Sequence, residues 1–122
     1  MSYKGFFKPK NPTKYKGDPT KIIYRSSWEL RLMAYLDDHP NVVQWGSEEF
    51  SIPYRSPIDN KIHRYFPDFW VKQIVDGKTE VLVLEVKTWG INSAKWKAAE
   101  EYCLDRNWKF MIMDEYSLGL QR

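Results

Sequence analysis

The sequence has few of the residues that build covalent staples. Cys103 is its one cysteine, which excludes an internal disulfide and fits a reducing compartment. No apolar run approaches the roughly 18–20 residues of a membrane span, and no secretory leader precedes the first structured segment. A soluble, intracellular protein with no membrane partner is expected. Internal repeats and low-complexity tracts are also missing. At 122 residues the chain has the size of one domain. Its 43% hydrophobic and 16% aromatic content suits a compact core rather than disorder.

Acid is scarce at one end. The net charge is +3, yet residues 1–25 hold seven bases (Lys4, Lys8, Lys10, Lys14, Lys16, Lys21, Arg25) against Asp18 alone, a local balance of +6. The remainder, with 12 bases and 15 acids, is at −3. This asymmetry suggests a basic arm for a polyanion on an acidic body. Gly5, Pro9, Pro12, Gly17 and Pro19 argue against regular structure in residues 1–22, so the division expected is an irregular arm, 1–22, and a single domain, 23–122. Tyr3, Phe6, Phe7 and Tyr15 alternate with the lysines. Such aromatics stack on bases while lysines meet phosphates, and they could equally anchor the arm to its own domain. A solvated terminus is the plainer alternative.

Ser26 is a good N-cap for a helix to about Asp38, with Trp28, Leu32, Met33, Tyr35 and Leu36 as its apolar stripe and Pro40 as its stop. Short strands follow near Val42–Trp45 and Glu48–Tyr54, and then a turn at Ser56–Lys61. The next strand, about Lys61–Val71, meets Pro67, which implies an edge, a bend or a bulge. Asp76–Lys78 reads as a hairpin turn into "TEVLVLEVK". There Val81, Val83 and Glu85 share one face and Leu82, Leu84 and Val86 the other, the pattern of a central strand covered on both sides. A helix over about Ser93–Asp105, striped by Ala94, Ala98 and Tyr102, and a strand over Trp108–Asp114 complete the chain. The expected order is helix, three-strand meander, helix, strand.

Two carboxylates stand out. Asp68 follows Pro67 at the kink, bracketed by Phe66, Phe69 and Trp70. Glu85 lies on the following strand beside Val81 and Val83. A buried carboxylate is costly unless paired or bound to a cation, and antiparallel neighbours bring two carboxylates within reach of one ion. Lys87 projects from the face of Glu85. Phosphodiester hydrolysis needs this set: carboxylates for a divalent cation, an activated water and a positive group near the phosphate. An oxygen-ligated cation such as Mg²⁺ needs no His/Cys cluster, and the Val86 carbonyl is a plausible third ligand. Lys87 would orient the water or stabilise phosphate charge. An ExK pattern alone is common on strand rims; the second carboxylate across a hairpin lifts it.

Other positions stay open. Glu29 completes a Ser26–Glu29 capping box, which alone accounts for a glutamate there; its other reading is an acid facing the ion through water. His63 is a phosphate contact or an ordinary strand histidine. Arg25, Arg31 and Arg64 could bind phosphate, and Lys95 could face the site from the opposite wall.

"PDFW…LEVK" with an acid in an upstream helix resembles the PD-(D/E)xK nuclease superfamily. "YRSSWELR", "WGSEEFSIPY", "RYFPDFWV" and "AKWKAAEEYC…W" are similar to the head completion nucleases of tailed phages, which in turn resemble the end-cleaving endonuclease subunit of some transposases. The resemblance covers nearly the whole chain. It implies an α/β (α+β, mixed-sheet) restriction-endonuclease-like core, a central mixed β-sheet flanked by helices. It also implies Mg²⁺-dependent DNA cleavage, with Mn²⁺ as a substitute, during capsid maturation in the host cytoplasm, with portal and head proteins as partners and virion association as a further expectation. By position it assigns Glu29, Asp68, Glu85 and Lys87 to the catalytic motif, and Lys95 to its helix lysine. Lys4, Lys8, Lys10, Lys14, Lys16, Arg25, Arg31 and Arg64 become the DNA contacts. A silent DNA-gripping head protein and a host-type repair, restriction or transposition nuclease are the alternatives. One departure stands out: similar proteins carry a basic, proline-containing stretch where Lys87 here runs straight into "TWGINSAKW". A break between Lys87 and Thr88 is expected, with a shortened member as the alternative. One site per domain means that a double-strand cut needs a homodimer or two encounters of a monomer.

Overall fold

A computed structural model describes residues 4–86 and 93–113. Strand β1 (Gly5–Phe6) pairs antiparallel with β2 (Ile23–Tyr24), and a 3-10 turn at Pro12–Lys14 lies between them. Helix α1 spans Ser27–Asp38. Strands β3 (Val42–Ser47), β4 (Ile52–Arg55), β5 (Ile62–Tyr65), β6 (Phe69–Val75) and β7 (Lys78–Val86) follow, then helix α2 (Ser93–Asp105) and strand β8 (Lys109–Met113).

The central sheet has the order β3-β6-β7-β8; β3, β6 and β7 are antiparallel neighbours and β8 joins β7 in parallel. The expected meander of successive strands is thus corrected: its three strands are β3, β6 and β7, which are not all consecutive in the chain. The β4–β5 hairpin is a separate two-stranded sheet inserted into it. The strand expected at Glu48–Tyr54 begins later, at Ile52, because the chain turns out of β3 at Glu48, whose φ of 53° is left-handed. Such a backbone at a non-glycine residue is uncommon and is held by its surroundings. Pro67, buried between β5 and β6, marks the bend where the chain leaves the hairpin and enters the central sheet. Asp76 and Gly77 both have positive φ (51° and 77°), as the tight β6–β7 turn requires.

Alternation along β6 and β7 divides two cores. Phe69, Val71 and Leu84 face α1, where they meet Leu32, Met33, Leu36 and Trp45. Trp70 and Val83 point to the other face and meet Cys103 of α2. Tyr35 departs from the expected α1 stripe: it is 57% exposed. In α2 the most deeply buried residues are Ala99 and Cys103, one position along from the expected Ala94–Ala98–Tyr102 line. Ala99 packs against Ile52 and Tyr65, which joins α2 to the inserted hairpin.

Residues 4–22 are mostly irregular, yet they are seated on the domain. Tyr15 and Ile22 are buried in the α1-side core, and the rings of Phe7 and Tyr15 meet Trp45 edge-on. Buried Asp37 accepts hydrogen bonds from the amides of Lys10 and Asn11. Lys14 Nζ donates to the carbonyls of Asp37 and His39, at the helix end where unpaired carbonyls collect. Phe7 and Tyr15 thus take the anchoring role among those open to them. Lys14 is occupied in capping α1, a departure from a residue free to meet phosphate.

Candidate active site

The β6–β7 register pairs Phe69 with Leu84; carried one residue further, it sets Asp68 opposite Glu85. Asp68 Oδ2 accepts a 2.7 Å hydrogen bond from the Val86 amide, which ties its carboxylate to the end of β7. On the other side, the Glu48 amide donates to the Asp68 carbonyl at 3.1 Å. The ends of β3 and β7 and the start of β6 thus meet at one corner of the sheet.

Both carboxylates are half-buried. Burial, then the neighbouring Glu85, pushes the Asp68 carboxyl up to about 7, with Glu29 and Glu48 adding to the repulsion. Glu85 is likewise raised, chiefly by burial, while Tyr65, the Asp68 amide, Trp96 and Lys95 favour its charged form. Two like charges held in a poorly solvated corner favour a proton or another cation between them. Glu85 Oε1 is buried and has no hydrogen-bond partner, and so are the Tyr65 hydroxyl and the Trp96 indole nitrogen. Among the described residues no three His, Cys, Asp or Glu side chains gather as a metal-holding group, so Glu29 does not stand with Asp68 and Glu85 round one point.

Glu29 keeps its structural duty. Its amide donates to Ser26 Oγ at 3.1 Å, and its Oε1 accepts from the Arg25 amide at 2.9 Å, not from the Ser26 amide of a standard capping box. Burial raises its carboxyl above the usual range. Arg25 pairs with Glu48 at 2.6 Å, linking the start of α1 to the corner. Lys95, in the first turn of α2, lies over the rings of Tyr54 and Tyr65, 5.9 and 5.7 Å from their centres. Lys87, and with it the join to Thr88, lies outside the described residues.

The basic residues divide. Lys16 lies 4.8 Å from the Trp70 ring centre, two residues beyond Asp68. Arg64 donates to Ser51 Oγ and lies over Phe66 on the approach to Asp68. Lys10 is fixed by its backbone at Asp37, eight residues and about 12 Å along α1 from Glu29; Lys4, Lys8 and Lys10 are exposed. Arg31 borders an apolar groove of about 440 Å³ with Leu32, Leu84 and Met113. Among the described residues that groove carries no carboxylate. His63 is held by Asp59 across the hairpin turn at 2.8 Å, so it has a structural partner.

Sequence reasoning missed three residues here: Glu48, Tyr65 and Trp96. The left-handed backbone of Glu48 has no sequence signal beyond "GSEE". Tyr65 lay hidden in an alternating strand, where a buried tyrosine usually means core packing.

Residues 39–115 match the family model "TnsA-like endonuclease N terminal". The chain is 36% identical over 145 aligned positions to the head completion nuclease of Enterobacteria phage T4, covering 97% of this chain and 95% of that protein. The aligned stretch is longer than this chain, so the phage protein carries residues with no counterpart here. No solved structure matches. A mixed sheet flanked by helices, with the matched residues running from β3 to the end of β8, is the restriction-endonuclease-like arrangement, and the chain belongs to the TnsA-like endonuclease family.

Proposed function

We propose that this endonuclease cuts phage DNA during head completion, using Mg²⁺, with Mn²⁺ as a substitute. The observation that carries the reading is the Asp68–Glu85 pair: two carboxylates opposed in a half-buried corner, one held by a backbone amide and both raised above the usual carboxylate range by burial. The residues present fit such an ion. Mg²⁺ keeps several waters and is commonly held by one or two carboxylates, and the absence of a third acid at the same point among the described residues accords with that mode. The Val86 carbonyl is the further ligand in this reading.

When bound, the cation would lower the pKa of a coordinated water and neutralise charge growing on the phosphate. The chain's own residues do the rest. Asp68 and Glu85 hold the carboxylate cradle, and Glu29, tied at one oxygen to Arg25, would act through water. Lys87 is assigned to the attacking water or the phosphate charge, and Lys95 to the opposite wall. Lys4, Lys8, Lys16, Arg25, Arg31 and Arg64 would supply phosphate contacts without reading sequence. The name of the phage relative, matched over nearly its whole length, supports the role in head completion.

The test is cleavage of supercoiled, linear and branched DNA with Mg²⁺ and with a chelator. Cutting should need the metal and vanish in Asp68→Ala and Glu85→Ala while circular dichroism stays native. Unchanged cutting in either variant would sink the site.

A further inference from the structure

We propose that Tyr65 and Trp96 form a donor pair that positions Glu85, fixing which of its oxygens is left to face the cation. This rests on the reading that Asp68 and Glu85 hold a divalent metal.

Three observations converge. The Tyr65 hydroxyl, Glu85 Oε1 and Trp96 Nε1 are all buried, and each lacks a hydrogen-bond partner. Buried polar atoms are nearly always partnered, so three orphans in one place need an account. Both donors lie beside Glu85. Their numbers also match, since a hydroxyl and an indole each donate one proton and one carboxylate oxygen accepts two bonds. A slight rotation that closes the gap satisfies all three atoms.

The two donors arrive from different directions. Tyr65 ends β5 and is 4% exposed; Trp96 lies in the first turns of α2. The hairpin and the helix are locked through Ile52, Tyr65 and Ala99, and Lys95 lies over the Tyr65 ring. The donors are thus placed by packing before any ligand arrives. Carboxylates that ligate metals are themselves hydrogen-bonded, and loss of such partners weakens metal binding about 10- to 100-fold. Tyr65 and Trp96 are positioning residues in this account, since they act through Glu85.

The experiment is Mn²⁺ titration by calorimetry of the wild-type chain, Tyr65→Phe, Trp96→Phe, Trp96→His and Glu85→Gln, with melting curves of the metal-free proteins. Tyr65→Phe removes a single hydroxyl and keeps the packed ring, so the metal-free protein should stay folded with a melting temperature near wild type. Its Mn²⁺ affinity should fall about tenfold or more. Trp96→Phe should behave alike, with part of the affinity restored in Trp96→His, whose ring can again donate. DNA KM should stay constant while kcat falls, and excess Mn²⁺ should recover part of it. Wild-type Mn²⁺ affinity in Tyr65→Phe overturns the donor pair. If Glu85→Gln also binds Mn²⁺ like the wild type, the metal-site reading itself has failed; if Glu85→Gln alone loses the metal, only the pair has.

Discussion

Asp68 Oδ2 accepts a hydrogen bond from the Val86 amide at 2.7 Å, so the acid that opens β6 is strapped to the end of β7. That strap lowers the cost of the charged form but does not offset burial and the nearby Glu85, and the Asp68 carboxyl remains up at about 7. The native state therefore binds a proton that the unfolded chain releases near the ordinary value of 3.8.

From that follows a pH dependence. Between about pH 4 and 7 the folded, metal-free protein holds more protons than the unfolded one, so its stability falls as pH rises through that window. Asp68→Asn keeps an acceptor for the Val86 amide and removes the charge. Its urea midpoint at pH 8 should exceed wild type by an amount worth about 1–4 kcal/mol, and the slope between pH 4 and 7 should flatten. Equal slopes in the two proteins would refute the buried charge.

Glu29 can be split between its two duties. Ser26→Ala removes the helix cap and should cost about 1 kcal/mol of stability with cleavage per folded molecule retained. Glu29→Gln still offers an oxygen to the Arg25 amide. A melting temperature near wild type combined with a loss of cutting of tenfold or more would assign Glu29 to the chemistry. Cleavage by Glu29→Gln at the wild-type rate would leave it a capping residue.

Asp37 is 2% exposed and accepts the Lys10 and Asn11 amides. Asp37→Ala strands these donors and should destabilise the fold by about 2–4 kcal/mol. Limited proteolysis should then cut within residues 8–16 ahead of the rest. Resistance equal to wild type would mean that the segment is held by Tyr15 and Ile22 alone.

The Arg25–Glu48 pair is exposed on both sides, 56% and 42%. Such pairs contribute about 0–1 kcal/mol, so Arg25→Ala should barely move the melting temperature. If Arg25 meets a phosphate, DNA affinity should drop and the slope of log affinity against log salt should shrink by about one. An unchanged slope removes Arg25 from the interface.

Much of the fold was legible because it is locally determined. Ser26 and Pro40 bracket α1, Asp76 and Gly77 demand a tight turn, and β7, apolar on both faces, announced a central strand. The β4–β5 hairpin, a sheet of its own, is not legible as one in the sequence. Its separation depends on Ile52 and Tyr65 finding Ala99 across more than thirty residues of chain. No period in the sequence carries that information.

The candidate site divides along the same line. Asp68 and Glu85 were named from sequence alone, because a carboxylate among apolar strand residues must answer for its burial wherever the strand ends up. Register then follows from a two-residue turn, so their opposition was nearly determined too. What only the tertiary structure decided is the company they keep: the strap to Val86, the left-handed Glu48 beside the Asp68 carbonyl, and Tyr65 and Trp96 beside Glu85. Those contacts join residues distant in sequence, and their geometry is set by how α2 and the hairpin pack, which no local pattern of residues encodes.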